Sequence, residues 1–267
     1  MRVAIIGLTF TLAAALAGCQ VGFVAVDGGL GLGGDPADAP VLSALEVEPD
    51  YEKWLLRAQF AWTDPQKNVR EGELRVSVDG EQVAAYDLPD TAVVMFSDVG
   101  EVKTDLTPFA TNDAVQIGIV LVDTDGNASG VLAGEVDLGR TFYFEVEPND
   151  IPQEAQNMGG VTTPMAIVGD LTVLAMDGQG DYDGDMDYYR FAPIQGGTWA
   201  FTLYWPTKDN DLGMFLLEGN GAFKSGADEY TLYPPETMSS PLEGGAAYSV
   251  AVSGTYGDPV TYVLLID

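Results

Sequence analysis

The chain contains no histidine and a single cysteine, Cys19. Without an imidazole there is no Ser-His-Asp or Cys-His relay and no histidine-ligated zinc or copper site. One cysteine excludes an internal disulfide and any cysteine cluster. Cations are scarce as well: 11 Lys and Arg stand against 41 Asp and Glu, a net charge of −30. Nucleic acid is therefore not an expected partner, because a phosphate backbone is gripped by clustered basic residues. A charge-driven hold on anionic lipid is disfavoured for the same reason. Residues 140–267 also lack any long segment of 3.6-residue apolar periodicity, which argues against a helical domain there. What remains is a 267-residue chain that is 46% apolar, enough to build the cores of two ordinary domains.

The N-terminus reads as an address. Arg2 is followed by an apolar run from residue 3 to residue 17. The run falls short of the about 20 residues a membrane-spanning helix needs, but suits a signal peptide. Its end, Leu16-Ala17-Gly18-Cys19, resembles a bacterial lipobox. The resemblance implies cleavage after residue 18, lipidation of the Cys19 sulfur and acylation of the new N-terminus. Several acyl chains anchor stably, since each buried methylene contributes about 0.8 kcal/mol. Gln20 stands where aspartate would signal inner-membrane retention, so the outer membrane is expected in a cell with two membranes. Residues 1–18 are thus expected to be a lipoprotein signal peptide. Residues 19–40, rich in Gly, Ala and Asp, are expected to be a flexible tether.

Residues 41–139 alternate with period two. Trp54, Leu56, Ala58, Phe60 and Trp62 form one apolar stripe, Leu74, Val76 and Val78 another, and Val115, Ile117, Ile119 and Leu121 a third. Half-buried strands give this signature. Asp79-Gly80 is a hairpin turn, and further turn clusters recur along the segment. The spacing predicts an immunoglobulin-like β-sandwich. Asp123-Thr124-Asp125-Gly126-Asn127 resembles the start of a cation loop but lacks a distal glutamate, and a simple turn is the preferred reading. Residues 140–267 offer seven strand candidates, at 166–174, 188–193, 198–205, 213–218, 239–242, 248–253 and 261–266. They predict a second antiparallel sandwich, so the fold class is all-β with two sandwich domains. A short helical turn is expected near residues 150–157.

Two acidic segments lie about thirty residues apart. One is Glu145-Val146-Glu147-Pro148-Asn149-Asp150; the other runs from Asp181 through Asp183, Asp185 and Asp187 to Tyr189. Both offer oxygen ligands only, the set that hard cations such as calcium prefer. In an extended segment Glu145, Glu147 and Asn149 would share one side. Carboxylates crowded together without a cation repel and raise one another's pKa, a penalty that a bound divalent ion removes. A solvated acidic linker beside an acidic loop is the alternative reading.

The ordered set Glu-x-Glu-Pro-Asn-Asp, Ala155, Gly169-Asp170-Leu171 and Asp187-Tyr188-Tyr189-Arg190-Phe191 resembles the bacterial pre-peptidase C-terminal domain. Gly197, Asp211-Leu212, Leu242-Glu243-Gly244-Gly245, Tyr248 and Tyr262 continue the match in order. The resemblance covers most of 140–267 and none of 41–139. It implies a jelly-roll sandwich similar to the collagen-binding domains of clostridial collagenases, with calcium between the linker and the loop before the tyrosines. The implied ligands are Glu145, Glu147, Asn149, Asp150, Asp170 and Asp187, with Asp183 or Asp185 from a loop that is longer here.

Function follows by class. A non-catalytic, lipid-anchored envelope protein displaying two sandwiches for protein or polysaccharide is the leading expectation. Trp199, Tyr204, Trp205, Tyr230, Tyr233 and Tyr256 are candidate contact aromatics, although most are expected in the core or at its rim. An assembly subunit that positions a separate secreted hydrolase is the alternative. A carboxylate-dependent glycoside hydrolase is third, because the acids look too dense and hydrated for a tuned acid–base pair.

Overall fold

The structure is a computed structural model. It describes residues 23–26, 38–172, 175–176, 182–183, 185–206, 210–227, 234–256 and 258–267. The signal peptide and Cys19 lie outside the described residues. Among the described residues the helices are two single 3-10 turns, at Val69–Glu71 and Thr107–Phe109. All other regular structure among these residues is strand, as the alternating patterns predict.

The first two sheets take nine strands: β1 (Phe23–Val26), β2 (Val41–Asp50), β3 (Leu55–Thr63), β4 (Glu73–Val78), β5 (Glu81–Asp87), β6 (Val93–Met95), β7 (Val99–Asp105), β8 (Val115–Val122) and β9 (Val131–Val136). One sheet has the order β1-β9-β8-β4-β5 and the other β2-β3-β7-β6, with every pair antiparallel. Leu45, Leu56, Ala58 and Phe60 from one sheet share a core with Leu74, Val76, Ile117 and Ile119 from the other. Alternation thus puts one face of each sheet inside the sandwich. The β4–β5 hairpin turns at Asp79 and Gly80, both with positive φ (49° and 84°), the geometry that Asp-Gly favours. Asp123 accepts the N–H groups of Asp125 and Asn127 and the side-chain amide of Asn127, so this segment is a turn closed by its own aspartate.

One expectation needs correction here. Phe23–Val26 falls in the stretch read as tether, yet it forms edge strand β1, paired with β9 from Phe23↔Gly134 to Val26↔Val131. The flanking glycines mask a short run of strand-forming residues.

Twelve further strands follow: β10 (Thr141–Phe144), β11 (Gln156–Val161), β12 (Met165–Leu171), β13 (Ala175–Met176), β14 (Tyr182–Asp183), β15 (Met186–Pro193), β16 (Gly197–Tyr204), β17 (Asp211–Glu218), β18 (Phe223–Ala227), β19 (Glu236–Leu242), β20 (Tyr248–Tyr256) and β21 (Val260–Ile266). They form sheets β10-β12-β21-β16-β19 and β11-β15-β20-β17-β18, with β13 and β14 as a separate ribbon. The seven predicted strands are present. The sheets are not wholly antiparallel, because β10 runs parallel to β12 and β11 parallel to β15. The helical turn expected near residues 150–157 is a hydrogen-bonded turn at 151–154, with Glu154 N–H bonded to the Ile151 carbonyl at 2.9 Å. The residues after it enter β11.

Strands β12 and β21 are apolar along almost their whole length because both faces are covered. Met165, Ile167, Tyr262 and Leu264 face the sandwich core. Ala166, Val168, Val263 and Leu265 pack instead with Ala110, Phe142, Trp54 and Tyr51 of the preceding chain. Phe142 N–H donates to Asn112 Oδ1 at 2.7 Å, and the Trp54 and Phe142 rings meet edge to face at 6.5 Å. This apolar seam joins the two pairs of sheets just before the acidic linker.

Gly169 sits where two buried tyrosines approach the backbone. A Cβ there would lie 2.5 Å from the Tyr262 hydroxyl and 2.7 Å from that of Tyr189. Neither ring has room to retreat, since both are fully buried. Gly169→Ala is therefore expected to destabilise the protein by about 1–3 kcal/mol, the usual cost of overpacking. A denaturant titration checks this: the midpoint should fall with the slope unchanged.

Candidate metal centre

The centre is assembled from three chain segments. Strand β15 alternates cleanly, with Asp187, Tyr189 and Phe191 buried and Arg190 exposed. Asp187 therefore points inward at the end of the core, with 0% exposure. The linker 145–150 is laid against this strand by a hydrogen bond from Tyr188 N–H to the Asn149 carbonyl at 3.0 Å. The third segment is the end of β12 with the residues after it. There Asp170 N–H donates to Glu145 Oε2 at 2.6 Å, and Thr172 donates to Asp185 Oδ2 through N–H (2.6 Å) and Oγ1 (2.7 Å).

Glu147, Asp150, Asp185 and Asp187 each bring a carboxylate oxygen to within 4.8 Å of the others. Asn149 lies beside them, buried at 0% exposure, its Nδ2 donating to Glu145 Oε1 at 3.2 Å. Beneath Asp187 a tyrosine pair closes the site. Tyr262 Oη donates to Asp187 Oδ2 at 2.7 Å and lies 2.5 Å from Tyr189 Oη.

The electrostatics are those of crowded acids. Burial, then the Glu145 carboxyl, push the Asp187 carboxyl up to about 9, while the Tyr262 hydroxyl pulls against them. Burial also raises Glu147, reinforced by Glu145, Asp150 and Asp185. Burial drives the Tyr189 and Tyr262 hydroxyls upward, so both stay protonated donors. A metal-free pH dependence follows. The folded pKa of Asp187 lies above its unfolded value near 4, so its stabilisation is complete at low pH and is lost as pH rises toward 9. In chelator, the unfolding temperature should be lower at pH 8 than at pH 5. Equal values would show that Asp187 is not a buried proton holder.

These residues fit a hard divalent cation. The donor set is oxygen only, and the buried Asn149 Oδ1 beside it has no hydrogen-bond donor. Buried polar atoms are rarely left so. Other expected ligands fall differently. Glu145, Glu147 and Asn149 do not share one extended side, because the chain bends at Glu147, whose Oε2 accepts the Asn149 N–H at 2.9 Å. Glu145 and Asn149 consequently pair with each other, and Asp150 joins Glu147. Asp170 stands outside the cluster, its carboxylate taken by the Thr261 hydroxyl. It contributes its backbone N–H instead. The Asp183 side chain lies outside the described residues.

Sequence reasoning assigned no role to the hydroxyls of Tyr262 and Thr172. A signal exists for the first, a polar-tipped ring at a core-facing position of the mostly apolar strand VTYVLLI. Among the contact aromatics, Trp199 and Trp205 are core residues and Tyr204 is half-buried; the Tyr230, Tyr233 and Tyr256 side chains lie outside the described residues.

No protein-family model and no curated protein matches the chain. Among solved structures, the pre-peptidase C-terminal domain of a Bacillus anthracis collagenase aligns with 45% of this chain and 100% of its own, at 16% identity and a TM-score of 0.33. The central fibronectin-III array of RIM-binding protein covers 85% of this chain and 66% of its own, at 11% identity and a TM-score of 0.25. The collagen adhesin of S. aureus covers 85% of each, at 8% identity and a TM-score of 0.21. At these values the likeness carries no functional weight.

Proposed function

We propose that this chain is a non-catalytic, lipid-anchored envelope protein that displays two β-sandwich modules for binding, the second stapled by calcium and related to pre-peptidase C-terminal domains. The observation that carries the staple is the oxygen-only cluster of Glu147, Asp150, Asp185 and Asp187 with the donorless Asn149 Oδ1 beside it. Calcium would supply positive charge and several oxygen-coordination positions. Glu147 and Asp150 would hold it from the linker, and Asp185 and Asp187 from β15 and the residue before it. Tyr262 fixes the Asp187 carboxylate, Thr172 fixes that of Asp185, and Asn149 positions Glu145.

Four converging carboxylates suit cation retention better than acid–base catalysis. A glycosidase needs two acids whose pKa values are set apart across a substrate. Here the acids crowd one another beside a protein core. The proposal of lipid anchoring rests on the lipobox-like end at Cys19, and would put the chain in the envelope, in the outer membrane where there are two membranes. Detergent phase separation tests it: the unaltered protein should enter the detergent phase and Cys19→Ser should stay aqueous. Identical partitioning would end the anchoring proposal. Affinity capture from native membranes tests the binding role. Enrichment of a specific protein or polysaccharide is the expected result, a stoichiometric hydrolase partner would favour the assembly role, and turnover of a glycan panel would overturn the non-catalytic reading.

A further inference from the structure

A cleft of about 480 Å³ opens where the two pairs of sheets meet, lined by none of the four clustered carboxylates. That volume suits a small ligand or a side chain. The rings of Tyr51, Trp54, Phe144 and Tyr204 wall it. Phe144 is 44% exposed although it is a large apolar residue. Trp54 is held at φ +52°, in the left-handed region that bulky residues seldom occupy. Backbone strain of this kind gathers at ligand sites.

The charged groups of the cleft are mostly acidic. Glu52, Asp105 and Asp170 are carboxylates, and among the described residues none of them is in an ion pair. Three of the donors nearby are already committed. Trp54 Nε1–H donates to Thr107 Oγ1, Thr107 Oγ1 donates to Asp105, and Thr261 Oγ1 donates to Asp170. Lys53 also lines the cleft, with its ammonium 3.6 Å from Asp50. The wall therefore offers aromatic faces and three carboxylates against one ammonium. A sugar hydroxyl asks for both donors and acceptors, whereas guanidinium and ammonium groups only donate. The protein already uses this chemistry at the edge of the seam, where the Arg140 guanidinium sits 5.4 Å above the Tyr51 ring.

We propose that this cleft binds a cationic side chain, arginine or lysine, presented by a basic peptide. The net charge of −30 would draw such a partner in. The proposal specifies partner chemistry for the binding role above, and it rests on that role only for the ligand being a peptide. Asp170 links it to the metal centre, since it lines the cleft while its N–H holds Glu145.

The test is calorimetric titration of the full-length protein in detergent with N-acetyl-arginine amide, its uncharged analogue N-acetyl-citrulline amide, and a neutral oligosaccharide. The arginine probe should bind at least about tenfold more tightly than citrulline, and the oligosaccharide should not compete. Glu52→Gln, at an exposed position, should weaken the arginine probe about three- to tenfold. Glu81→Gln, exposed on β5 outside the cleft, should leave it unchanged. Equal binding of arginine and citrulline, or equal weakening by both variants, would overturn the proposal. So would preference for the oligosaccharide, which would leave the broader binding role standing.

Discussion

Millimolar calcium should raise the unfolding temperature of the chelator-stripped protein by about 10 °C. A ligand present at a hundred times its dissociation constant stabilises the folded state by about 2.7 kcal/mol. In a domain of roughly 100 residues, each kcal/mol shifts the midpoint by about 4 °C or somewhat more. The effect should fall on residues 140–267, because Glu147 and Asp150 come from the linker and Asp185 and Asp187 flank the start of β15. The ion would fasten the linker to the sandwich end and relieve the repulsion that lifts Asp187 and Glu147. Limited proteolysis should show the same gain in protection. An unfolding curve indifferent to calcium would mean that the acids are merely a tolerated cluster.

The second large effect concerns Asp187→Asn. Asparagine has almost the shape of a protonated aspartate and can still accept from Tyr262. In chelator at pH 8 the variant should be as stable as the parent or more so, because it removes a buried acid whose charged form is disfavoured. In calcium the order reverses. The variant loses a charged ligand, so calcium affinity should fall at least about tenfold and most of the thermal shift should disappear. Few substitutions would stabilise the metal-free protein while destabilising the metal-loaded one. A variant that is weaker than its parent in both conditions would mark Asp187 as an ordinary structural residue.

Much of this architecture is legible in the sequence because burial imposes periods on it. Leu56, Ala58 and Phe60 alternate because one face of β3 meets a core. Asp79-Gly80 reads as a turn because both residues tolerate positive φ. The edge strands are harder to see. β10, β11 and β18 are short, and β11 carries a bulge between Asn157 and Gly159, so no clear period forms. The parallel pairing of β10 with β12 depends on chain routing, which periodicity does not encode. The seam residues Val168, Val263 and Leu265 merge into strands that already look apolar throughout.

The candidate site divides in the same way. Its oxygen-only character and its two source segments are visible as composition. Which acids converge is decided by the bend at Glu147 and by competing hydroxyls. Thr261 holds Asp170 outside the cluster, whereas Thr172 holds the carboxylate of Asp185, which lies within it. The cleft beside the seam leaves still less trace, since Tyr51 and Trp54 come from one turn, Phe144 and Tyr204 lie far along the chain, and the four rings meet only after the sheets pack.

Calorimetric titration of calcium into the chelator-stripped protein tests the central claim most directly. The account predicts one ion per chain, bound more tightly as pH rises from 6 to 8 because the proton on Asp187 must leave. Absence of a saturable heat, or several weak sites of pH-independent affinity, would contradict it.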